Sequence, residues 1–65
     1  MIKYELIINS KEIFELDEQE LSKFFKKNKI EFLKSINVNS EIHIMTKDNE
    51  NAFVKKIEVN NAISK

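Results

Sequence analysis

The fold is decided at the start of the chain, where residues 2–8 read Ile-Lys-Tyr-Glu-Leu-Ile-Ile. Apolar residues recur there at every even position, a period of two that is typical of a strand with one buried face. Residues 9–11, Asn-Ser-Lys, predict a tight turn, because asparagine tolerates a positive φ. Residues 13–16, Ile-Phe-Glu-Leu, predict a second strand, so the chain is expected to begin with a β-hairpin.

A helix is predicted over residues 18–28. Asp17 is a suitable N-cap, and Glu20, three residues later, completes the pattern of a capping box. Leu21, Phe24 and Phe25 follow as apolar positions at helical spacing. Acidic residues come early in the segment and lysines late, which is the order that complements the helix dipole.

Three more strands are predicted after the helix. The period of two returns in residues 30–38, where Lys34 is an exception, and again in residues 42–46. A last strand is predicted around residues 53–59, with Phe53, Ile57 and Val59 on its core-facing side and Lys55 as an exception, although residues 51–63 also fit a helix. The β-branched residues of that segment favour the strand, and a loose tail is expected from about residue 60.

These elements predict a single α+β domain over residues 1–65. The sheet is expected to be mostly antiparallel, with the element order ββαβββ and one helix packed on one face. Five strands span ~24 Å, whereas one helix is ~10 Å across. The uncovered part of the sheet is therefore expected to curl toward a partial barrel or to be covered by another chain.

The composition excludes several classes of function. The 65 residues carry 11 lysines against 11 acidic residues and contain no cysteine, glycine, proline or arginine. Disulfides, thiolate metal sites and glycine-rich phosphate loops are therefore excluded. The absence of arginine counts against sequence-specific recognition of DNA bases. Since neither a membrane span nor a signal peptide is apparent, we expect a cytoplasmic protein that does not contact a membrane.

Candidate catalytic groups are few. His43 is the one conventional general base, and a single histidine on a strand is more often an ordinary surface residue. The acidic residues around Asp17 could in principle hold a hard cation, but helix capping explains them more simply. We therefore expect no enzymatic activity, no metal and no small-molecule cofactor.

The second face of the predicted sheet carries one apolar residue per strand, which is more than we expect of a solvent-exposed face with no binding role. Scattered surface apolar residues are one interpretation; a contiguous partner-binding stripe is the other. On the second interpretation the chain is a non-enzymatic interaction protein that binds itself or a larger protein. Its role would be that of a small regulator or inhibitor, of the kind that phages and mobile elements encode. The stripe consists of Ile7, Ile13, Leu33, Met45 and Val54.

The lysine-rich end of the predicted helix provides an alternative function. Lys23, Lys26, Lys27 and Lys29, together with two neighbouring phenylalanines, could hold a phosphate backbone and stack a base. A solvated helix terminus explains the same residues without any ligand. Nucleic acid is therefore the second candidate partner, after protein.

Overall fold

The computed structural model describes residues 1–59 and, within them, every side chain except those of Ile13 and Phe14. Within this described part, four antiparallel strands form one sheet in the order β2-β1-β4-β3. The α+β class and the antiparallel sheet with helices on one face are confirmed. The two edge strands, β2 and β3, do not pair, so the sheet is open and does not close into a barrel. The elements are β1 (Ile2–Ile8), β2 (Lys11–Leu16), α1 (Glu18–Leu21), α2 (Lys27–Ser35), β3 (Glu41–Met45) and β4 (Asn51–Glu58).

The predicted hairpin is present and its turn contains two residues. Asn9 and Ser10 have φ values of 51° and 68°, and the pair Ile8–Lys11 closes the turn. Positive φ at both positions is what a type I′ turn requires, and such a turn matches the twist of the strands that it joins. Farther along β2 the register with β1 shifts, so that two residues of β2 oppose Glu5 in a bulge.

The helical region differs from the prediction in its extent. Asp17 accepts a hydrogen bond from the Glu20 amide at 2.8 Å and donates its own amide to the Glu20 carboxylate at 2.9 Å, which confirms the capping box. The helix that it begins, however, ends at Leu21, and a turn leads into α2. The predicted strand over residues 30–38 is wrong, because Lys27–Ser35 is helical.

The chemistry of α2 explains why a helix replaces that strand. Ile30 and Leu33 are three residues apart and so share one helix face, and both belong to the core or pack against it. Lys34, which interrupted the period of two, forms ion pairs with Glu18 at 3.3 Å and with Glu31 at 3.8 Å. An apolar residue is not needed at position 34, because in the helix that position faces solvent.

The last strand is confirmed over Asn51–Glu58, which decides against a helix in that range; the expected tail from residue 60 lies outside the described residues. The inward-facing residues of β4 are the opposite of those predicted. Ala52 and Val54 are fully buried, whereas Phe53 remains 45% exposed. The register between β4 and β1 explains this orientation, because Val54 pairs with Leu6 of β1 and both side chains therefore lie on the buried face.

The core lies between this buried sheet face and the helical layer. Its fully buried large side chains are Phe25, Leu6, Leu21, Leu33 and Val54. Lys56 occupies the next inward-facing position of β4 and sends its ammonium group to the C-terminal end of α2. It donates hydrogen bonds to the carbonyl oxygens of Lys34 at 2.6 Å and Ile36 at 2.8 Å. A cation at this end of a helix satisfies unpaired carbonyls and complements the dipole, so Lys56 joins α2 to the sheet.

Candidate functional site

The predicted partner-binding stripe is not assembled as one surface. Leu33 and Val54 are both 0% exposed in the core, so their placement on an outer face is wrong: one lies in a helix and the other in a strand of opposite phase. The side chain of Ile13 lies outside the described part of the chain. Ile7 and Met45 do lie on the outer sheet face, half-buried and 38% exposed respectively. Partner contact by these two residues stays a prediction.

The outer face is centred on Phe53, which the sequence had suggested for the core. Phe53 pairs directly with Ile7 of β1 on one side and with His43 of β3 on the other. The rings of Phe53 and His43 stack with their centroids 4.9 Å apart and an interplanar angle of 24°. Ile7, Phe53 and His43 form a continuous line across three strands, which we call the outer row.

Polar groups surround the outer row. The imidazole Nε2 of His43 lies 3.2 Å from Oδ1 of Asn51, beside an open depression that also includes Asn9 and Ser10. In the next row, Lys55 is placed between Glu5 and Glu41 on its two neighbouring strands. An apolar centre with a polar and charged rim is the usual organisation of a protein-binding surface.

Neither of the two described helices covers this face. Leu21 and Leu33, which the two helices bury, and Phe25, in the turn between them, pack with the inward-facing side chains of the sheet. Phe53 is therefore exposed at the centre of a regular sheet rather than at its margin. The sequence carried a signal for this arrangement, since Lys55 interrupts the Phe53–Ile57 period and marks that phase as the outer one.

The lysine-rich segment forms a second candidate site. Lys26 and Lys29 lie at the start of α2, around a small depression that also includes Lys47. Lys47 is held there by its amide, which donates to the Phe24 carbonyl at 2.8 Å, and its ammonium lies 3.3 Å from the Ser22 carbonyl. No local spacing could have predicted Lys47, because only the fold brings it to this end of α2. Lys23 and Lys27 are exposed on the same segment.

The start of α2 favours negative charge. Its N-cap, Lys26, makes no side-chain capping hydrogen bond, and the first turn contains no acidic residue. The positive end of the helix dipole and the lysine side chains therefore act in the same direction. The two phenylalanines of the segment are less available for stacking than predicted, since Phe25 is buried and Phe24 packs against the core.

A third polar cluster lies where α1, α2 and the sheet meet. Burial raises the pKa of the Tyr4 hydroxyl, and the nearby Glu18 carboxylate raises it further while Lys34 lowers it. The hydrogen bond and the charge of Glu18 raise the pKa of Lys34. Lys34 and Glu18 thus hold each other as an ion pair, which links α1 to α2 on the surface.

Comparison of the chain with protein-family models, with curated proteins and with solved structures gives no significant match. Within residues 1–59, no helix has both the length and the apolar character that a membrane span needs.

Proposed function

We propose that this chain is a non-enzymatic protein-interaction domain, whose contact surface is the outer sheet face around the outer row. The observation that supports the proposal is the placement of Phe53, 45% exposed at the centre of a sheet face that neither described helix covers. Aromatic side chains in central positions contribute most of the binding energy in many protein interfaces. By binding a larger protein through this outer face, the domain would act as a regulator or inhibitor of that protein.

The surroundings of Phe53 suit such a role energetically. Ile7 on one side and His43 on the other are held by the sheet, so little side-chain entropy is lost when the row is covered. The charges of Glu5, Lys55 and Glu41 lie one row away. Charges in that position orient a partner more than they tighten its binding.

Site-specific photo-cross-linking tests the proposal, and the chain offers a matched control. p-Benzoylphenylalanine is placed at position 53 or at position 32 in cells of the native host. Phe32 is 51% exposed, close to the value for Phe53, but lies on α2 in the layer opposite the outer face. We expect position 53 to give a defined protein adduct and position 32 to give none.

The adduct is then checked with purified components. The protein identified from position 53, or the chain itself, should bind the wild-type domain and lose at least about tenfold in affinity on Ile7→Glu, which places a charge beside the anchor. Equal adducts from both positions would contradict the proposal, and so would the absence of any protein adduct at position 53.

Nucleic-acid binding is a second candidate function, favoured by the convergence of Lys26, Lys29 and Lys47 at the start of α2. Three lysines that each contact a phosphate would give a logarithmic salt dependence with a slope of about −2 for a single strand. Fluorescence anisotropy of a labelled oligonucleotide over a salt series measures it. Replacing the three lysines by glutamine should abolish the slope, whereas Lys3→Gln on the outer face should not change it. If the wild-type chain does not bind at low salt, this candidate is wrong.

A further inference from the structure

Strand β3 presents an open row of backbone hydrogen-bonding groups. Two hydrogen bonds establish which residues of β3 bond to β4: the Thr46 amide donates to the Glu50 carbonyl at 2.9 Å, and the Lys56 amide donates to the Ser40 carbonyl at 3.0 Å. Bonded and non-bonded pairs alternate along an antiparallel ladder. The even residues of β3 therefore bond to β4, and Glu41, His43 and Met45 direct their amide and carbonyl groups to the open edge.

The two edges of the sheet differ in how well they could accept another strand. Natural edge strands are usually protected by lysines, bulges or a covering element. The β2 edge carries Lys11 at one end and the bulge opposite Glu5. Strand β3 keeps a regular register with β4 along its whole length and contains no lysine. Among the described elements, β4 is the only one that packs extensively against β3, so the opposite edge of β3 is not covered by a described helix or strand.

We propose that the open edge of β3 pairs antiparallel with β3 of a second copy of this chain, about a two-fold axis at His43. This inference rests on the proposed protein-binding role and names one partner for it. Placing the two-fold axis at His43 gives the strand register in which all five residues of β3 are paired. The outward-directed groups of Glu41, His43 and Met45 would then form about six hydrogen bonds between the two copies.

The side chains of β3 are self-complementary in this register. On the buried face, Ile42 and Ile44 lie symmetrically about His43, so the half-buried Ile42 of one copy meets Ile44 of the other. On the outer face, the two His43 rings become neighbours and join the two outer rows into one line. Apolar cross-strand pairs of this kind stabilise antiparallel sheets.

Charge is also accommodated in this register. Glu41 is the charged residue of β3 and lies opposite Met45 of the second copy, diagonal to its His43. The two Glu41 carboxylates are separated by four residues along the strand, or about 14 Å, beyond the Debye length at physiological salt. Registers centred on Ile42 would bring them closer together and would pair fewer residues. Because a five-residue edge is a small interface, we expect a weak dimer with a dissociation constant between about 1 μM and about 1 mM.

The sign of a charge placed at position 45 tests the register. Met45 is 38% exposed, so we expect both Met45→Lys and Met45→Glu to fold, and circular dichroism of each variant is used to check this. Within one copy, the neighbouring Lys26, Lys29 and Lys47 favour Glu at this position. In the dimer, Glu41 of the second copy favours Lys. We expect Met45→Lys to dimerise about tenfold more tightly than Met45→Glu in sedimentation equilibrium, because each dimer contains two such pairs.

A Glu41→Gln background provides the control. Removing the carboxylate should abolish the difference between the two variants at position 45. The proposal is overturned if the wild-type chain remains monomeric up to about 1 mM, if Met45→Lys and Met45→Glu associate equally, or if Met45→Glu associates more tightly. The edge-pairing proposal is also overturned if Phe53→Glu dissociates the dimer while the charge at position 45 does not change its dissociation constant. That result would leave the protein-binding role of the outer face in place. Loss of the position-53 adduct with the edge pairing intact would contradict that role instead.

Discussion

Replacing Leu33 by alanine should remove a large part of the stability of this domain. Leu33 is 0% exposed and contributes one of the largest fully buried side chains of the core, where α2 packs on the sheet. Truncating a buried leucine costs about 2–5 kcal/mol, from the lost burial and the cavity that remains. A domain of this length has a free energy of unfolding of roughly 3–10 kcal/mol. We therefore expect Leu33→Ala to lower that free energy by about 3 kcal/mol and to leave some molecules unfolded at room temperature.

Urea denaturation followed by far-UV circular dichroism measures the loss, and the neighbouring residue provides the control. Phe32 is 51% exposed on the same helix, so Phe32→Ala should cost less than about 1 kcal/mol, although it removes more atoms. Equal losses for the two variants, or a larger loss for Phe32→Ala, would refute the placement of α2 and with it the assignment of Leu33 to the core.

Three further predictions concern the helix end, the hairpin turn and the response to pH. Lys56→Met should lower the free energy of unfolding by about 1–3 kcal/mol, because two carbonyls at the end of α2 lose a charged donor; Lys55→Met, on the outer face, should cost no more than about 0.5 kcal/mol in the same urea titration. Ser10→Gly should raise the melting temperature, since serine at a φ of 68° is strained by roughly 1 kcal/mol relative to glycine; a lower melting temperature would contradict the type I′ turn. The pKa of Tyr4 is raised from 10.0 in the folded state. The stability that this shift contributes is therefore fully present below pH 10 and is lost as the pH rises through the folded-state pKa. Tyr4→Phe should therefore flatten the alkaline fall in unfolding free energy, and an unchanged fall would refute the shift.

The parts of the fold that depend on neighbouring residues could be predicted from the sequence. The alternation in β1, the tight turn after Ile8 and the capping box between Asp17 and Glu20 all involve contacts within four residues. Local geometry determines such features, so a local pattern is sufficient to find them.

The errors occurred where two periods competed in a short apolar segment. In residues 30–38 and again in residues 53–59, a lysine interrupted the period of two. Both lysines marked the wrong assignment: Lys34 faces solvent on a helix, and Lys55 lies on the outer face of β4 with Phe53. A charged residue at a supposed core position is therefore a stronger indicator of the outer face than the β-branched residues around it are of the core.

The candidate site could be predicted only in part. Ile7 and Met45 were placed on the outer face correctly, because their strands have clear periods. The position of Phe53 depends on the register between β4 and β1, and the contact of Lys47 with the start of α2 joins segments far apart in the sequence. Long-range pairing of this kind is set by the packing of the whole core, which no local window contains.

The difference between the two edges of the sheet would also limit the size of the proposed assembly. Cross-β filaments grow because every added strand leaves a fresh edge for the next one. If two copies joined through β3 as proposed, both open edges would be used, and the described strands would leave the bulged β2 edges, each with Lys11, at the ends of the combined sheet. Growth would then stop at two chains, and a small domain without proline or glycine could expose a regular edge strand without forming filaments.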